Sequence, residues 1–377
     1  MSEVAIVAAG AVTALADSAD ATWFQLLAGR DGLGDVTLFD ADGLRSATAG
    51  QVAGYAAATG GDRLAALSVH AMTQAIEQAG AEAGLTPADL AEAWVVVGVS
   101  LGDIFEQSGP DVELDHFWDE VAATLGLHGP VVVLSSACSS GTDAVGYGCD
   151  LIATGIATTV LAVGVDSLEP GKYSGHAGLK TMSPDRCRPY DAASDGTTLG
   201  EGACCLVLTA VDRSARTPLA VVRGWAASTD VESLTSPDMS GSNAARMVRA
   251  ALDMAGATPD EVGYLNGHGS GTPVNDEMEA AVYRQVFPKG GAVVSASKGA
   301  LGHSLGATGA VEALVTAYAL RERTAPPTVG LRSPHERWAG IPVAVGARPL
   351  ADGTLGASVT YGFGGANSCV VLARTPR

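Results

Sequence analysis

The sequence has 377 residues, of which 47% are hydrophobic, 17% charged and 5% aromatic, and it contains 48 glycines. This composition excludes a disordered or fibrous protein and favours a compact α/β enzyme built from small side chains. The formal net charge of −19 argues against nucleic acid as a partner. No apolar run reaches the roughly 18 residues of a membrane span, and the N-terminus does not match a signal peptide.

The first half of the chain alternates apolar runs with helical patterns. In chain order these predict strand 3–9, helix 21–28, helix 64–83, strand 93–100, helix 116–125, strand 131–136, strand 158–166 and strand 203–211. A helix of small residues is expected to follow the strand at 131–136. Residues 168–201 are rich in Gly and Pro, which predicts a long connection.

The second half repeats this order. The matching segments are 218–228 for the first strand, 244–262 for the long helix and its TP-acid end, 264–271 for the strand at 93–100, 293–314 for the strand and small-residue helix around 131–152, and 355–373 for the closing strand. Such a repeat predicts two pseudo-symmetric halves, 1–211 and 212–377, packed as one compact unit. The small-residue helices would lie between the two sheets, covered on all sides.

Charge is unevenly distributed along the chain. From Leu64 to Gly171 there is no Lys or Arg. Within this basic-free stretch lie Asp103, Glu106, Asp111, Glu113, Asp115, Asp119 and Glu120. The run predicts either a solvated acidic face or a surface for a basic partner, and the sequence leaves both open.

Six cysteines show neither a C-x-x-C spacing nor a disulfide pattern. Because no export signal is recognised, we expect reduced thiols and a cytoplasmic protein. Four of them are expected to be small core residues, namely Cys149, Cys204, Cys205 and Cys369. The cysteines are Cys138, Cys149, Cys187, Cys204, Cys205 and Cys369.

Cys138 lies where a predicted strand turns into the small-residue helix. A thiol at a helix start meets unpaired N–H groups and the positive end of the helix dipole, both of which favour the thiolate. The position therefore predicts a nucleophile, with a buried structural cysteine as the alternative.

Three further residues lie in Gly-rich turns. His268 lies in NGHGSGTPVND, and Lys298 and His303 lie in SKGALGHSLGATGA. A single histidine between glycines is more often an ordinary turn residue. The repeat, however, places the Lys298–His303 turn and the Cys138 turn at equivalent ends of equivalent helices, so we expect these groups to converge. Neutral imidazoles that donate from Nε2 can stabilise an enolate, as a carbon–carbon condensation requires.

Together these motifs resemble the β-ketoacyl synthases of the thiolase superfamily over nearly the whole length. The segments that carry the resemblance are ACSSG, NGHGSGTPVND, KGALGHSLGATGAVE, RPYDAASDGTTLGEGA and YGFGGANSCVVL. The resemblance implies a thiolase-like α/β fold with five layers, αβαβα. It also implies a decarboxylating Claisen condensation in polyketide or fatty-acid biosynthesis, catalysed by an acyltransferase of the EC 2.3.1 type.

The resemblance assigns roles to individual residues. Cys138 would take an acyl chain from an acyl carrier protein, and His268 and His303 would bind the malonyl thioester as CO₂ leaves. Lys298 would orient the site. The supporting positions are Glu312 as the ion partner of Lys298, Phe363 as gate and oxyanion donor, Gly364 as a mobile glycine of the gate loop, and Asn367 as its anchor or an ordinary turn residue.

Cofactors and partners also follow from the resemblance. It implies no cofactor and no metal, because the substrates are carried on the phosphopantetheine of an acyl carrier protein. It further implies a homodimer, or a heterodimer with a chain-length-factor-like homologue, and neither nucleic acid nor membrane as a partner. Two other functions stay open: a thioester acyltransferase or CoA-dependent condensing enzyme, and a non-catalytic partner subunit.

Two departures from the family pattern concern the site and its partner. Thr197 stands where relatives commonly carry an aromatic residue, which predicts an altered wall near the site. The region that usually supplies several basic residues for the acidic carrier protein has only Arg63. Composition alone offers other docking residues, namely Arg186, Arg188, Arg213 and Arg216.

Overall fold

A computed structural model describes residues 3–55, 60–107, 112–214, 216–233, 236–351 and 354–375. Its strands are β1 Val4–Thr13, β2 Gly34–Asp35, β3 Thr48–Ala49, β4 Trp94–Gly98, β5 Val131–Leu134, β6 Thr159–Asp166, β7 Gly202–Ala210, β8 Ala220–Thr229, β9 Val262–Asn266, β10 Val293–Ser295, β11 Thr324–Ala325, β12 Arg348–Pro349, β13 Leu355–Tyr361 and β14 Ala366–Ala373. Its helices are α1 Ala19–Leu27, α2 Gly60–Gln78, α3 Pro87–Ala91, α4 Trp118–Leu125, α5 Ser140–Ala153, α6 Pro170–Gly178, α7 Ser242–Met254, α8 Pro273–Val286, α9 Lys298–Leu301 and α10 Thr308–Glu322.

Ten strands form one mixed sheet in the order β10-β9-β13-β14-β8-β1-β7-β6-β4-β5. Each half of the chain contributes five neighbouring strands in the same pattern. Three outer strands are parallel, and the next strand, β7 in one half and β14 in the other, is antiparallel to both of its neighbours. The two sets meet where β1 pairs with β8 over residues 4–6 and 220–222. The predicted α/β thiolase-like fold is therefore confirmed, with the two sheets joined edge to edge. The division at residue 211 stays a prediction.

The TP-acid segments of the repeat form the same local structure in both halves. Thr86 caps α3 and makes a reciprocal capping box with Asp89. Thr258 makes the same box with Glu261 at a short 3₁₀ turn before β9. In each case Pro follows Thr at the first helical position, where its missing N–H costs nothing.

The helices α5 and α10 pack against each other at backbone distance. A Cβ at Gly141 would lie 2.7 Å from the backbone N of Ala310, and one at Gly309 would lie 2.3 Å from the backbone N of Thr142. Every residue of α10 from Thr308 to Leu320 is buried. A helix that is covered all round needs small side chains where backbones approach, which explains the composition of this pair.

The turns that precede these two helices correct one detail of the predicted repeat. A 3₁₀ turn over Ala137–Ser139 leads into α5, and a 3₁₀ turn over Leu305–Ala307 leads into α10. Each turn begins with a non-glycine residue at positive φ, 54° at Ala137 and 48° at Leu305. The counterpart of Cys138 is therefore Gly306, and the Lys298–His303 segment is an additional turn before it.

Other differences concern elements that the sequence patterns did not reveal. The connection 168–201 contains α6, and the closing segment 355–373 is a hairpin of two strands rather than one strand. The predicted helix 64–83 begins earlier, at Gly60, and ends in a π-helical turn over Ala79–Ala83. Within the described ranges, no helix has the length and apolar character that a membrane span requires.

The six cysteines are free and buried, as expected for reduced thiols. The acidic run is mainly exposed from Glu113 to Glu120, whereas Asp103 is buried and pairs with His116. Asp111 lies outside the described residues. The exposed part has the character of a solvated face, and the alternative of a basic partner stays open.

Candidate active site

One cavity of about 340 Å³ is lined by Cys138, the middle residue of the Ala137–Ser139 turn. Its lining combines residues from both halves of the chain, among them Cys138, His176, Lys180 and Thr181 from the first half and His268, Val274, His303 and Phe363 from the second. Six of the site residues predicted from the sequence therefore share one cavity, namely Cys138, His268, His303, Phe363, Gly364 and Asn367. Its volume is in the range of small-molecule sites.

Cys138 is held at the start of α5 by hydrogen bonds from its neighbours. The hydroxyl of Ser139 donates to the carbonyl of Ala366 at 2.5 Å, and the hydroxyl of Ser140 donates to the carbonyl of Val99 at 3.0 Å. The Cys138 Sγ lies 3.1 Å from Nε2 of His303. The turn thus fixes the thiol against an imidazole from the other half of the chain.

The hydrogen bonds of both histidines define which ring nitrogen carries the proton. Nδ1 of His303 accepts from the backbone N–H of Leu305 at 3.2 Å, so its proton is on Nε2. Nδ1 of His268 lies 3.3 Å from the Lys298 ammonium, which can only donate. Both histidines are therefore neutral rings with Nε2–H as the donor.

The charge state of the two rings supports this assignment. Burial and the Lys298 ammonium hold the pKa of His268 and that of His303 well below their usual value. The ring planes are nearly perpendicular, with centroids 5.2 Å apart. At neutral pH the cavity thus presents two uncharged N–H donors to a substrate.

The surroundings of Cys138 act on the pKa of its thiol in opposite directions. Burial raises the pKa of this thiol to about 11, and the N–H groups of Phe363 and Cys138 and the charge of Lys298 lower it only in part. The negative charge of Asp166 also raises the pKa of the Cys138 thiol. The helix start favours the thiolate, as predicted, but desolvation is the larger effect.

Lys298 joins His268 to Glu312. Its ammonium donates to the Glu312 carboxylate at 2.6 Å and to the backbone carbonyl of His268 at 2.6 Å, and both side chains of the ion pair are buried. Burial raises the pKa of Glu312 to about 7, although the charge and the hydrogen bond of Lys298 act to lower it. A buried pair of this kind costs desolvation, so its value lies in fixing the position of His268.

The His268 turn rests on a second carboxylate that the sequence patterns did not identify. Glu279 of α8 accepts from the backbone N–H groups of His268 at 2.8 Å and Gly269 at 2.9 Å, and from the Tyr190 hydroxyl at 3.0 Å. The available signal was its spacing: Glu279 lies eleven residues after His268, in the second turn of a helix whose start is indicated by Pro273 and the Thr272 cap.

The loop after β13 places Phe363 next to the thiol. Gly364 and Gly365 both have positive φ, 77° and 78°, which lets the chain turn back into β14. The Asn367 amide donates to Asp230 at 3.1 Å, and the Asp230 N–H donates to the Gly365 carbonyl at 2.9 Å. Asn367 is therefore an anchor of this loop rather than an isolated turn residue.

His176 was also missed, because no helix was predicted within 168–201. It lies on α6, and its ring stacks on Phe363 with centroids 5.5 Å apart and planes 17° from parallel. Burial lowers the pKa of His176 to about 4. The helix had a recognisable start, since Pro170 follows Glu169 at the first helical position.

The basic residues considered for docking are placed differently. Arg63 is fully buried and pairs with Glu201, so it is not available to a partner. Arg186 pairs with Asp31 and Arg188 pairs with Asp185.

Arg213 and Arg216 follow the far end of β7. The other end of this strand begins at Gly202, three residues after Leu199, which forms a β-bridge with His303. Nine strand residues span roughly 30 Å. These two arginines therefore lie away from the cavity.

Two further expectations concern the cavity wall and metals. Thr197 is buried and lines the cavity, and its predicted difference from the aromatic residue of relatives stays a prediction. A search of the described residues finds no group of three or more His, Cys, Asp or Glu side chains placed to hold a metal ion.

Comparison with known proteins identifies the family. Residues 1–117 and 119–213 match the family model "Beta-ketoacyl synthase, N-terminal domain", and residues 219–332 match "Beta-ketoacyl synthase, C-terminal domain". The chain is similar to a solved structure described as the ishigamide ketosynthase/chain length factor, with a TM-score of 0.90, 26% identity and full coverage of both chains. A β-ketoacyl synthase from Burkholderia phymatum gives a TM-score of 0.88 at 28% identity, also with full coverage of both chains.

Curated relatives agree with the family match. The chain is 30% identical over 410 residues to 3-oxoacyl-[acyl-carrier-protein] synthase 2 of Coxiella burnetii, covering 98% of each protein. It is 32% identical over 402 residues to the tetracenomycin polyketide synthase ketoacyl synthase alpha subunit of Streptomyces glaucescens, covering 94% of this chain and 93% of that one. The chain therefore belongs to the β-ketoacyl synthase family, as an acyltransferase of the thiolase fold that carries out ketosynthase condensation in polyketide or fatty-acid biosynthesis.

Proposed function

We propose that this chain condenses an acyl group held on Cys138 with a malonyl group delivered by an acyl carrier protein. The observation that carries the proposal is the meeting of Cys138 with two neutral histidines in one cavity, with Nε2 of His303 3.1 Å from the sulfur. No cofactor is required in this scheme, because the carrier's phosphopantetheine supplies the thioester.

In the first half-reaction, the Cys138 thiolate attacks the carbonyl carbon of the acyl thioester. The carbonyl electrons move to oxygen, and the resulting oxyanion is held by the backbone N–H groups of Cys138 and Phe363. Both of these N–H groups act on the sulfur in the resting site. When the tetrahedral intermediate collapses, the pantetheine thiolate leaves and takes up the proton that Cys138 lost.

In the second half-reaction, a malonyl thioester binds with its carbonyl oxygen at the Nε2–H donors of His268 and His303. The bond to the carboxylate breaks, CO₂ leaves, and the electron pair becomes an enolate that the two donors stabilise. The enolate carbon then attacks the acyl–Cys138 carbonyl. A carbon–carbon bond forms, and the Cys138 thiolate is released.

Retention of both histidines favours decarboxylation over simple acyl transfer. A transferase needs only the nucleophile and an oxyanion hole, whereas a second imidazole N–H donor is useful when charge develops on a malonyl carbonyl. Lys298 acts as a positioning residue, because it bonds the backbone and faces Nδ1 of His268 while pairing with Glu312. A non-catalytic partner subunit would have no need of this set.

The carrier protein is proposed to dock at the mouth of the cavity. The relative from Coxiella burnetii is named as a synthase that acts on acyl carrier protein, and such carriers are acidic. Lys180 is exposed and lines the mouth. Lys180→Glu is expected to raise the KM for carrier-bound substrate about tenfold, whereas Arg216→Glu, at the far end, leaves it unchanged; equal effects would place the dock elsewhere.

A dimer is proposed to form along β5. Among the described residues this strand pairs with β4 alone and ends the sheet, and its four residues, Val131–Leu134, are apolar and half-buried. An apolar edge strand is a template for pairing with another chain. The partner is a second copy or, as the description of the ishigamide structure indicates for that protein, a chain length factor. Light scattering should give about twice the 37.8 kDa chain mass if a homodimer forms.

The compartment is proposed to be reducing. Six buried cysteines without a disulfide are expected to remain thiols in the cytoplasm, where the nucleophile would also stay reduced.

The condensation can be tested with two carrier-bound substrates. The chain is incubated with an acylated carrier protein and a malonyl carrier protein, and mass spectrometry follows acyl–Cys138 and a product extended by two carbons. Wild type is expected to form both, and Cys138→Ala neither. Loading without extension or CO₂ release would favour the acyltransferase alternative. An absence of loading, even with candidate partner subunits present, would favour the non-catalytic one.

A further inference from the structure

His176 and Phe363 form a stacked pair of rings in the wall of the cavity that reaches Cys138. The centroids are 5.5 Å apart, the planes are 17° from parallel, and both residues line the cavity. Phe363 is also the residue whose N–H acts on the Cys138 sulfur. A residue that fixes the Phe363 ring therefore influences both the space beside the nucleophile and its oxyanion donor.

The two members of the pair differ in how firmly they are held. Phe363 lies in a loop in which Gly364 and Gly365 have positive φ and Gly364 is exposed. His176 lies on α6, at the fourth position after Lys172 and so on the same face of the helix. The helix is the rigid partner, and the glycine loop is the one that can move.

Buried charges attach α6 to the sheet. The Lys172 ammonium donates to Asp166 at 2.5 Å and lies 3.0 Å from Glu169, and all three side chains are buried. Asp166 in turn accepts from the backbone N–H groups of Ser100 at 3.0 Å and Gly306 at 2.9 Å. The anchor that fixes His176 is thus connected to the turn before α10.

The His176 ring has a single polar contact within the described residues. Its Nδ1 lies 3.4 Å from the Thr181 hydroxyl, which itself donates to the His176 carbonyl at 3.1 Å. The ring is therefore placed by its stack on Phe363 and by the helix rather than by a hydrogen-bond network. The flat face of the His176 ring is the part of the side chain that contacts Phe363.

We propose that His176 is a positioning and specificity-determining residue that holds Phe363 in place and so limits which acyl chains reach Cys138. A short acyl group fits beside the stacked rings, whereas a longer chain requires Phe363 to leave the stack. This inference rests on the proposed function. It adds a fixed ring on α6 to the gate expected from Phe363 and its glycine loop.

The test separates the stack from the imidazole nitrogens. His176→Phe keeps a flat ring, and His176→Ala removes it. Acetyl and octanoyl carrier-protein thioesters are the probes, and loading of Cys138 is timed by mass spectrometry. His176→Ala is expected to raise the octanoyl-to-acetyl ratio of kcat/KM about tenfold, which corresponds to about 1.4 kcal/mol. His176→Phe is expected to restore the wild-type ratio within about twofold.

A second measurement excludes general damage to the site. Decarboxylation of the malonyl carrier protein depends on His268 and His303 and is expected to stay within about twofold in both variants. Ser174→Ala, at an exposed position of α6, is the matched control and should behave as wild type.

Three outcomes would overturn the inference: an unchanged ratio in His176→Ala, an equal change in both His176 variants, or a parallel loss of decarboxylation. If wild type itself fails to load either probe, the proposed function fails instead, so the two failures are distinguishable. A crystal structure of His176→Ala with Phe363 unmoved would also contradict the proposal.

Discussion

The turns before α5 and α10 share a backbone and differ in what they carry. Both are 3₁₀ turns that begin at positive φ, at Ala137 and Leu305. The second position is Cys138 in one and Gly306 in the other. The first turn thus presents a reactive side chain to the cavity, and the second presents none.

Gly306 has a structural reason for lacking a side chain. A Cβ there would lie 2.5 Å from the backbone N of Ser100, and its own N–H donates to Asp166 at 2.9 Å. The second turn is therefore packed against the first half of the chain. This close approach brings the preceding segment, with His303, within reach of the Cys138 sulfur.

The two turns show that the copies of a duplicated structural element can take different roles. One copy keeps an open position and holds the proposed nucleophile, while the other serves as a scaffold and is preceded by an additional segment with the proposed catalytic groups. Strain of positive φ is retained in both, at a cost of about 1–3 kcal/mol each. Such strain persists only where surrounding contacts hold the turn in place.

The largest effect is expected from removing the imidazole of His303, which precedes the second turn. His303→Ala removes one Nε2–H donor, so extension should fall about 10²–10³-fold, while acyl–Cys138 still forms. Intact-protein mass spectrometry measures loading, and product analysis measures extension. His128→Ala, an exposed histidine, is the matched control. Normal extension by His303→Ala would show that this donor has no role in condensation.

The next effect tests Gly306 as a scaffold. In Gly306→Ala the Cβ must displace the Ser100 backbone, which should destabilise the fold by about 1–3 kcal/mol and reduce extension. Chemical denaturation measures the free energy of unfolding. Gly346→Ala, where nothing lies within 4 Å of a Cβ, should change it by less than about 1 kcal/mol. Wild-type stability and extension in Gly306→Ala would contradict the scaffold role.

The charge state of Cys138 gives a pH dependence. With a pKa of about 11, the thiolate fraction rises about tenfold for each pH unit between 7 and 9, and so should the rate of alkylation by iodoacetamide. Mass spectrometry assigns the modified residue, and Cys138→Ala supplies the background from the other cysteines. A rate that is flat over this interval would mean that the thiolate is already formed and that the helix start outweighs burial.

Much of the fold could be predicted because its signals are local. Strand and helix patterns, the two TP-acid segments and the small-residue helices each follow from a few neighbouring residues. Convergence of Cys138 with His268 and His303 followed from the repeat and the family motifs. Lys298 and Glu312 lie fourteen residues apart in the chain, and their pairing was expected from the family resemblance.

The remaining features depend on contacts that no local pattern encodes. Burial of Cys138 results from the packing of both halves around one cavity, and it raises the pKa of the thiol although the helix start favours the thiolate. Glu279 accepts from backbone N–H groups of a distant turn, and the His176 stack depends on where α6 meets the Phe363 loop. The equivalence of Cys138 with Gly306 required backbone angles.

The smallest effect tests the strain that the two turns share. Ala137→Gly removes a Cβ from a left-handed position, a gain of about 1–2 kcal/mol, and loses about 0.5–1 kcal/mol through the freer unfolded chain. The free energy of unfolding should therefore change by about 1 kcal/mol or less, towards stability. Ala123→Gly, in the exposed face of α4, is the matched control and should cost about 1 kcal/mol. Equal destabilisation by both substitutions would mean that the turn before Cys138 holds no strain, and the likeness of the two turns would then be one of shape alone.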